Sequence, residues 1–330
     1  MARVINTVTG PISADDLGGV LVHEHFVFGY PGYQGDESFN EFDFDVYMQY
    51  ISAKVQDAMK LGVKTIVDVT PNDCGRDVTL LKAIAEKNGL NIMCTTGYYY
   101  QEEGASGYFL QRQSLGFPVE DEIYSLMKRE LNEGIGKTGI KASAIKLGSG
   151  IGGPNEYELL FFRAAAKLAN EDKDVRIITH TTGGTGIIEQ ADFFLAAGVD
   201  PKQVQIGHVC LTTDSSIHEN VLEKGFYIAF DKLGLVLLGG APEDPPRFDC
   251  ISELIKKGYG KQILLSNDKV QLTLGRPVIY PPEIIETYAK NWDWDYIMTG
   301  VMDALKERGA TDEQLHNLVY ENPKAFYSEF

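Results

Sequence analysis

Basic residues are scarce in this chain. Its 330 residues include 30 Lys and Arg against 47 Asp and Glu, a formal net charge of −17. Such a surface repels phosphate backbones and anionic lipid, so neither nucleic acid nor membrane is an expected partner, and a small molecule is. The four cysteines (Cys74, Cys94, Cys210 and Cys250) include no C-x-x-C pair, which leaves no zinc ribbon or disulfide framework to read. The opening M-A-R-V-I-N-T-V-T-G lacks the apolar core of a signal peptide, and no apolar run approaches the roughly 18 residues of a membrane span. A reduced, cytoplasmic protein is the expectation. Linkers, low-complexity segments and short-period repeats are also absent, so residues 1–330 are expected to form one domain.

What remains, with 44% hydrophobic residues, is a rhythm of short β-branched runs and helix-length amphipathic stretches. Strands are expected at Val20–Phe26, Val63–Val69, Asn91–Thr96, Ala142–Leu147, Val175–His180, Gln203–His208, Phe226–Phe230 and Gln262–Ser266. Helical patterns lie between them, among them Asp45–Leu61, Asp77–Asn88, Glu120–Asn132, Glu156–Asn170, Thr185–Ala197 and Ile251–Lys257, several stopped by glycine. Near-continuous apolar strands alternating with helices imply a parallel sheet with helices outside it, and eight of them imply a (β/α)8 TIM barrel. A doubly wound open sheet would call for a Gly-rich phosphate loop after the first strand, and V-H-E-H-F-V-F-G-Y contains none. Three long connections, Gly29–Phe42, Tyr98–Val119 and Asn267–Asp295, follow strands and belong at the C-terminal face of a barrel, where active sites form.

The chain has only six histidines, and two of them, His23 and His25, stand one residue apart in V-L-V-H-E-H-F. On a strand such residues share a face, so two imidazoles point at one object while Glu24 points away. By itself H-x-H fits a metal site or a pair of hydrogen-bonded core residues equally well. Other strands repeat the device. Lys146 lies in I-K-L, His180 closes I-I-T-H, His208 closes I-G-H, and Asp268 closes S-N-D. A lysine ending a buried strand is costly to leave charged and unpaired. Independent structural roles at five strand ends account poorly for this convergence on one barrel mouth. His218 and His316 sit in polar helical surroundings and are read as structural.

These motifs in combination resemble the phosphotriesterase-related family of the amidohydrolase superfamily, which includes lactonases. The resemblance runs from V-T-G-P-I-S-A-D-D-L-G to E-N-P-K-A-F-Y, essentially the whole chain. It implies a (β/α)8 barrel with two divalent cations, zinc first and Mn, Co or Fe as alternatives. His23, His25 and Asp268 would hold the more buried cation, His180 and His208 the other, and Lys146 would bridge them as N6-carboxylysine. Asp268 would also take up the proton of the attacking water. In T-T-G-Y-Y-Y, Tyr99 matches the tyrosine that overhangs the metals in the lactonase branch.

For the substrate, the resemblance implies hydrolysis of a lactone. Acyl-homoserine lactonases of this family have an arginine at the place of Lys232, a departure that counts against that substrate. Lys232, Lys269 and Arg276 could instead gather cations at one end of the pocket, the chemistry that grips phosphate. The pattern resembles the subgroup of this family that hydrolyses phosphorylated sugar lactones, and the favoured expectation implied by that resemblance is a phosphorylated sugar lactone. The alternatives are an acyl-homoserine or other unphosphorylated lactone with promiscuous phosphotriesterase activity, and, more remotely, a binding protein without catalysis. A homodimer is the assembly considered.

Overall fold

The computed structural model describes residues 3–39, 42–276 and 278–328. An antiparallel hairpin, β1 (Val4–Thr7) and β2 (Gly10–Ser13), opens the chain. Eight strands follow: β3 (Gly19–Glu24), β4 (Val63–Asp68), β5 (Asn91–Gly97), β6 (Ala144–Gly148), β7 (Ile177–His180), β8 (Val204–Ile206), β9 (Tyr227–Phe230) and β10 (Ile263–Leu265). Each pairs in parallel with the next along the chain, in a single eight-stranded sheet. Helices between them form the outer layer: α1 (Phe44–Lys60), α2 (Val78–Asn88), α3 (Ser106–Ser114), α4 (Val119–Asn132), α5 (Glu158–Glu171), α6 (Ile187–Ala196), α7 (Ser215–Glu223) and α8 (Asp244–Lys256). Past β10 come α9 (Pro282–Tyr288), α10 (Met302–Glu307), α11 (Asp312–His316) and α12 (Asn322–Ser328). The architecture is the expected (β/α)8 barrel, nearly closed, with a strand at each of the eight expected places.

Local chemistry explains the helix limits. The Asp43 side chain caps α1 by accepting from the Val46 amide, and Asp77 caps α2 by accepting from Thr79 and Leu80. Tyr47, Met48, Ile51, Val55 and Ala58 recur at helical spacing along α1 and are buried, giving it one apolar face. A second apolar cluster fills the barrel interior, where Val20, Val22, Val67, Met93, Ala144, Ile178, Ala229 and Leu264 meet Ile5, Leu17, Phe326 and Tyr327. The hairpin, its following turn and α12 therefore plug the floor, where the buried Arg176 donates to Phe326 O and Thr65 to Leu17 O, and the opposite end is left open. The hairpin was not legible in the strand pattern. Nor was α3, which lies inside the long connection after β5, nor α9, inside the one after β10, nor the helices beyond it.

Two backbone devices shape the upper rim. The register between β3 and β4 slips: Leu21 pairs with Ile66, but Glu24 with Asp68. This bulge adds a residue to β3, so His23 as well as Val22 can face inward while Glu24 faces out. Strands β5 and β6 approach closely at Gly97, where a Cβ would lie 1.9 Å from the Lys146 carbonyl oxygen and only glycine fits. The seam closes above β10. The Asp268 amide donates to His23 O (3.1 Å), His25 N to Lys269 O (3.0 Å) and Gln271 N to His25 O (3.0 Å).

Candidate active site

The six residues expected as metal ligands meet at the C-terminal mouth of the barrel. One donor atom from each of His23, His208 and Asp268 lies within 4.8 Å of the others. Asp268 Oδ1 is 3.1 Å from His25 Nε2 and 3.5 Å from His23 Nε2, and Oδ2 is 3.7 Å from His208 Nε2. Lys146 Nζ stands 2.9 Å from His23 Nε2. The His180 ring is 4.4 Å from that of His208, centre to centre.

The neighbours fix which ring nitrogen is free. His25 Nδ1 is 2.7 Å from Thr70 Oγ1, whose own hydroxyl donates to Val27 O. Thr70 must therefore accept, so Nδ1 carries the proton and Nε2 keeps a bare lone pair. Asp231 does the same for two rings. Its Oδ1 accepts from His208 Nδ1 (2.8 Å), and its Oδ2 lies 2.7 Å from His23 Nδ1, a close pairing bent away from a linear hydrogen bond. His180 is the reverse case. Its Nε2 is 3.1 Å from Thr182 Oγ1, whose hydroxyl donates to Ser149 O, so Nε2 is the protonated nitrogen and Nδ1 the free one.

Burial reinforces the neutral form of His23, His180 and His208. It pushes His23 down to about 3, with Lys146 adding to the effect, and lowers His180 and His208 as well. Burial also brings the Lys146 amine down to about 8. Burial alone would raise Asp268, but the Lys232 ammonium beside it holds it well below the usual carboxylate range. The result is a set of imidazole lone pairs and a carboxylate crowded together, acceptor against acceptor. A divalent cation is the group such a donor set fits.

Above the cluster opens a cavity of about 570 Å³. Tyr99 lines it, with its ring 5.1 Å from His180 and edge-on, and its backbone amide is held by Asp73 Oδ1 (3.1 Å). Lys232 Nζ is 3.3 Å from Asp268 Oδ2, and Lys269 Nζ lies over the Trp292 ring at 4.2 Å. Both lysines line the cavity. The rest of its wall is mostly apolar, from Phe28 and Leu235 to Leu238, Tyr280, Ile284 and Ile285.

A model of the phosphotriesterase family matches residues 3–327. The chain belongs to the phosphotriesterase family. An aryldialkylphosphatase of Saccharolobus solfataricus is 32% identical, over 96% of this chain and 97% of the relative. A phospho-furanose lactonase of Mycoplasmopsis synoviae is 29% identical, over 98% and 91%. The solved structure of an organophosphorus hydrolase from Deinococcus radiodurans superposes with a TM-score of 0.95 at 40% identity, covering 99% of this chain and 98% of that one. The protein is accordingly a phosphotriesterase-family hydrolase acting on ester bonds.

One expected residue of this hydrolase lies elsewhere. Arg276, anticipated at the pocket, does not line the cavity. Its side chain is 63% exposed, grips Asp36 through two hydrogen bonds (2.6 and 3.0 Å) and rests 4.2 Å from the Phe39 ring. The neighbouring Pro277, and residues 40 and 41 of the loop expected over Gly29–Phe42, lie outside the described residues. Conversely, Asp231, Thr70 and Thr182 were missed. Asp231 had the same signal as the ligands, since in I-A-F-D it ends an apolar strand. The two threonines carry none, because any hydroxyl next to a strand end reads alike. His218 is structural as expected: buried, between Cys250 Sγ (3.2 Å) and Val209 O (2.9 Å).

Proposed function

We propose that the protein is a binuclear-metal lactonase whose substrate carries an apolar substituent. The apolar wall above the His/Asp cluster is the observation that carries this reading. His23 and His25 through Nε2, with Asp268, would hold one cation. His180 through Nδ1 and His208 through Nε2 would hold the other. Lys146, carboxylated on Nζ, would bridge them, with zinc the first choice and Mn, Co or Fe sharing the ligand chemistry. When bound, the cations supply an acidified water as nucleophile and polarise the ester carbonyl.

The chain's own residues do the rest. Asp268 accepts the proton of the attacking water and passes it to the ring oxygen as the lactone opens. The Lys232 ammonium keeps that carboxylate ionised and ready to accept. Tyr99 closes the side of the cavity beside His180 and limits how the ester plane can lie. The apolar mouth takes the substituent out of water and fixes the carbonyl over the cluster.

The test is a lactone panel assayed on metal-reconstituted protein. Alkyl-substituted γ- and δ-lactones should exceed the unsubstituted rings in kcat/KM, and a phosphorylated sugar lactone should fall below both. A phosphorylated sugar lactone as preferred substrate would overturn the apolar reading. That second reading keeps one observation in its favour, the ammonium groups of Lys232 and Lys269 on the cavity wall, together with the name of the Mycoplasmopsis relative. It lacks the third cation, since Arg276 is held outside by Asp36. We take the chain as one catalytic unit acting in the cytoplasm on small molecules, as a homodimer. Among the described residues no helix is long and apolar enough to cross a membrane.

A further inference from the structure

Glu24 stands between two proposed ligands in sequence but points away from them. It is fully buried at the seam where β3 meets the segment after β10. Four donors converge on it. Oε1 accepts from the Ser266 hydroxyl (2.6 Å) and the Asn267 amide (2.8 Å), and Oε2 accepts from the Lys269 amide (2.8 Å) and the Trp294 indole N–H (3.0 Å). That set uses the whole acceptor capacity of a carboxylate. Two of the clamped amides flank Asp268, which is itself held in the left-handed region at φ 50°. A non-glycine residue keeps that conformation only where its surroundings impose it.

The same turn is gripped elsewhere. Trp292 Nε1 donates to Asn267 O (2.7 Å), and Asn267 Nδ2 reaches across to Leu233 O (2.8 Å). Ser266 Oγ, besides donating to Glu24, accepts from the His23 amide (3.0 Å). One short stretch of β3 therefore presents imidazoles to the barrel interior and a carboxylate anchor to its outside.

We propose that Glu24 is a positioning residue: through this clamp it fixes the Ser266–Lys269 turn in its strained form and so aims the Asp268 carboxylate at the histidines. The idea rests on the metal-site reading given above and assigns Glu24 a part in it. The isosteric change Glu24→Gln would keep one acceptor oxygen but set an NH2 group against two of the four donors. The turn would then relax and Asp268 would swing from its ligand position.

The experiment is Co2+ binding to chelator-treated, full-length protein, followed by competition with a chelator and by the visible Co2+ absorption, in parent, Glu24→Gln and Trp294→Phe. The second variant keeps an aromatic ring against Phe26, its edge-on neighbour at 4.9 Å, and removes the indole donor together with part of the ring volume, so its metal-free fold is compared with the parent's first. We expect Co2+ affinity to fall about 10- to 100-fold in Glu24→Gln, the range for groups that orient metal ligands. A smaller fall is expected in Trp294→Phe, and both should shift the visible band while the circular dichroism of the metal-free proteins stays like the parent's. Parent-like affinity and spectrum in Glu24→Gln would overturn the proposal. So would affinity lost only in proportion to the unfolded fraction. If Glu24→Gln does not fold, Trp294→Phe decides: a parent-like Co2+ spectrum and affinity there would reduce the clamp to a fold element. A parent protein that itself binds no Co2+ would instead sink the metal-site reading, a result distinguishable from failure of the clamp alone.

Discussion

The Lys146 amine lies 2.9 Å from Nε2 of His23, inside the barrel and fully enclosed by protein. Burial is the main cause that lowers its protonation to about 8. Carboxylation by CO2 needs the neutral amine, whose fraction rises as pH climbs through that value. At a fixed concentration of dissolved CO2, metal uptake by the chelated protein should therefore accelerate from about pH 6 to about pH 8 and slow when CO2 is stripped. Lys146→Ala should retain little metal, with partial recovery of metal and activity when a short carboxylic acid is added. Metal uptake indifferent to CO2, or full stoichiometry in Lys146→Ala, would remove the bridge from the proposal.

Asp231 fixes two imidazoles with one carboxylate, accepting from His208 Nδ1 and pairing with His23 Nδ1. Asparagine can offer an oxygen to only one of them and sets an N–H against the other. Asp231→Asn should lower metal affinity by about 10- to 100-fold, as is usual when a partner of ligand histidines is lost. Metal titration followed by elemental analysis measures it, and an unchanged affinity would mean the rings are oriented by packing alone.

Much of this was legible in the sequence, and the reason is geometric. His23, His25, His180, His208 and Asp268 each interrupt or end an apolar run, and a barrel brings every strand end to one face. The fold follows from the same alternation. What escaped has equally physical causes. The bulge that turns His23 inward is a register slip between β3 and β4, set by the pairing of two distant segments rather than by the residues of either. Thr70, Thr182 and Glu24 act through hydrogen bonds to groups outside their own local pattern, so nothing in the adjacent residues marks them. Arg276 is close to Asp268 along the chain but not in space, because the loop carries it out to Asp36.

The tautomer argued for His180 can be checked through Thr182. Its oxygen accepts from Nε2–H while its proton goes to Ser149 O. Thr182→Val keeps the shape and removes the acceptor, leaving the ring free to turn. Affinity for the cation proposed at His180 and His208 should drop by about tenfold, the low end for such partners, with the other cation retained. Loss of both cations in step would show that His180 does not serve one of them selectively.

Two of the side chains anticipated for phosphate should now behave differently. Arg276→Ala removes an exposed pair with Asp36, a class of interaction that adds little to stability. Its kcat/KM should match the parent's on every lactone, phosphorylated or not. Lys232→Ala, by contrast, removes the ammonium 3.3 Å from Asp268 Oδ2 and should lower kcat on all of them. A loss confined to phosphorylated substrates in Arg276→Ala would restore it to the pocket.

Ile285 offers the sharpest test of the apolar mouth, because it lines the cavity from α9 yet is 48% exposed, so its replacement leaves the barrel core untouched. A substituent lying along that wall is taken out of water at about 0.8 kcal/mol for each buried CH2. Ile285→Asp replaces the contact with a hydrated carboxylate and should forfeit two such groups or so, roughly a tenfold loss in kcat/KM for a long-chain alkyl lactone. The loss should appear in KM, since the groups at the reacting carbonyl are unchanged. An unsubstituted γ-lactone carries no chain to lay along α9 and should react as with the parent. Equal losses on the two substrates would mean that Ile285 supports the loop, and the apolar substituent would then have to be sought against another wall of the cavity.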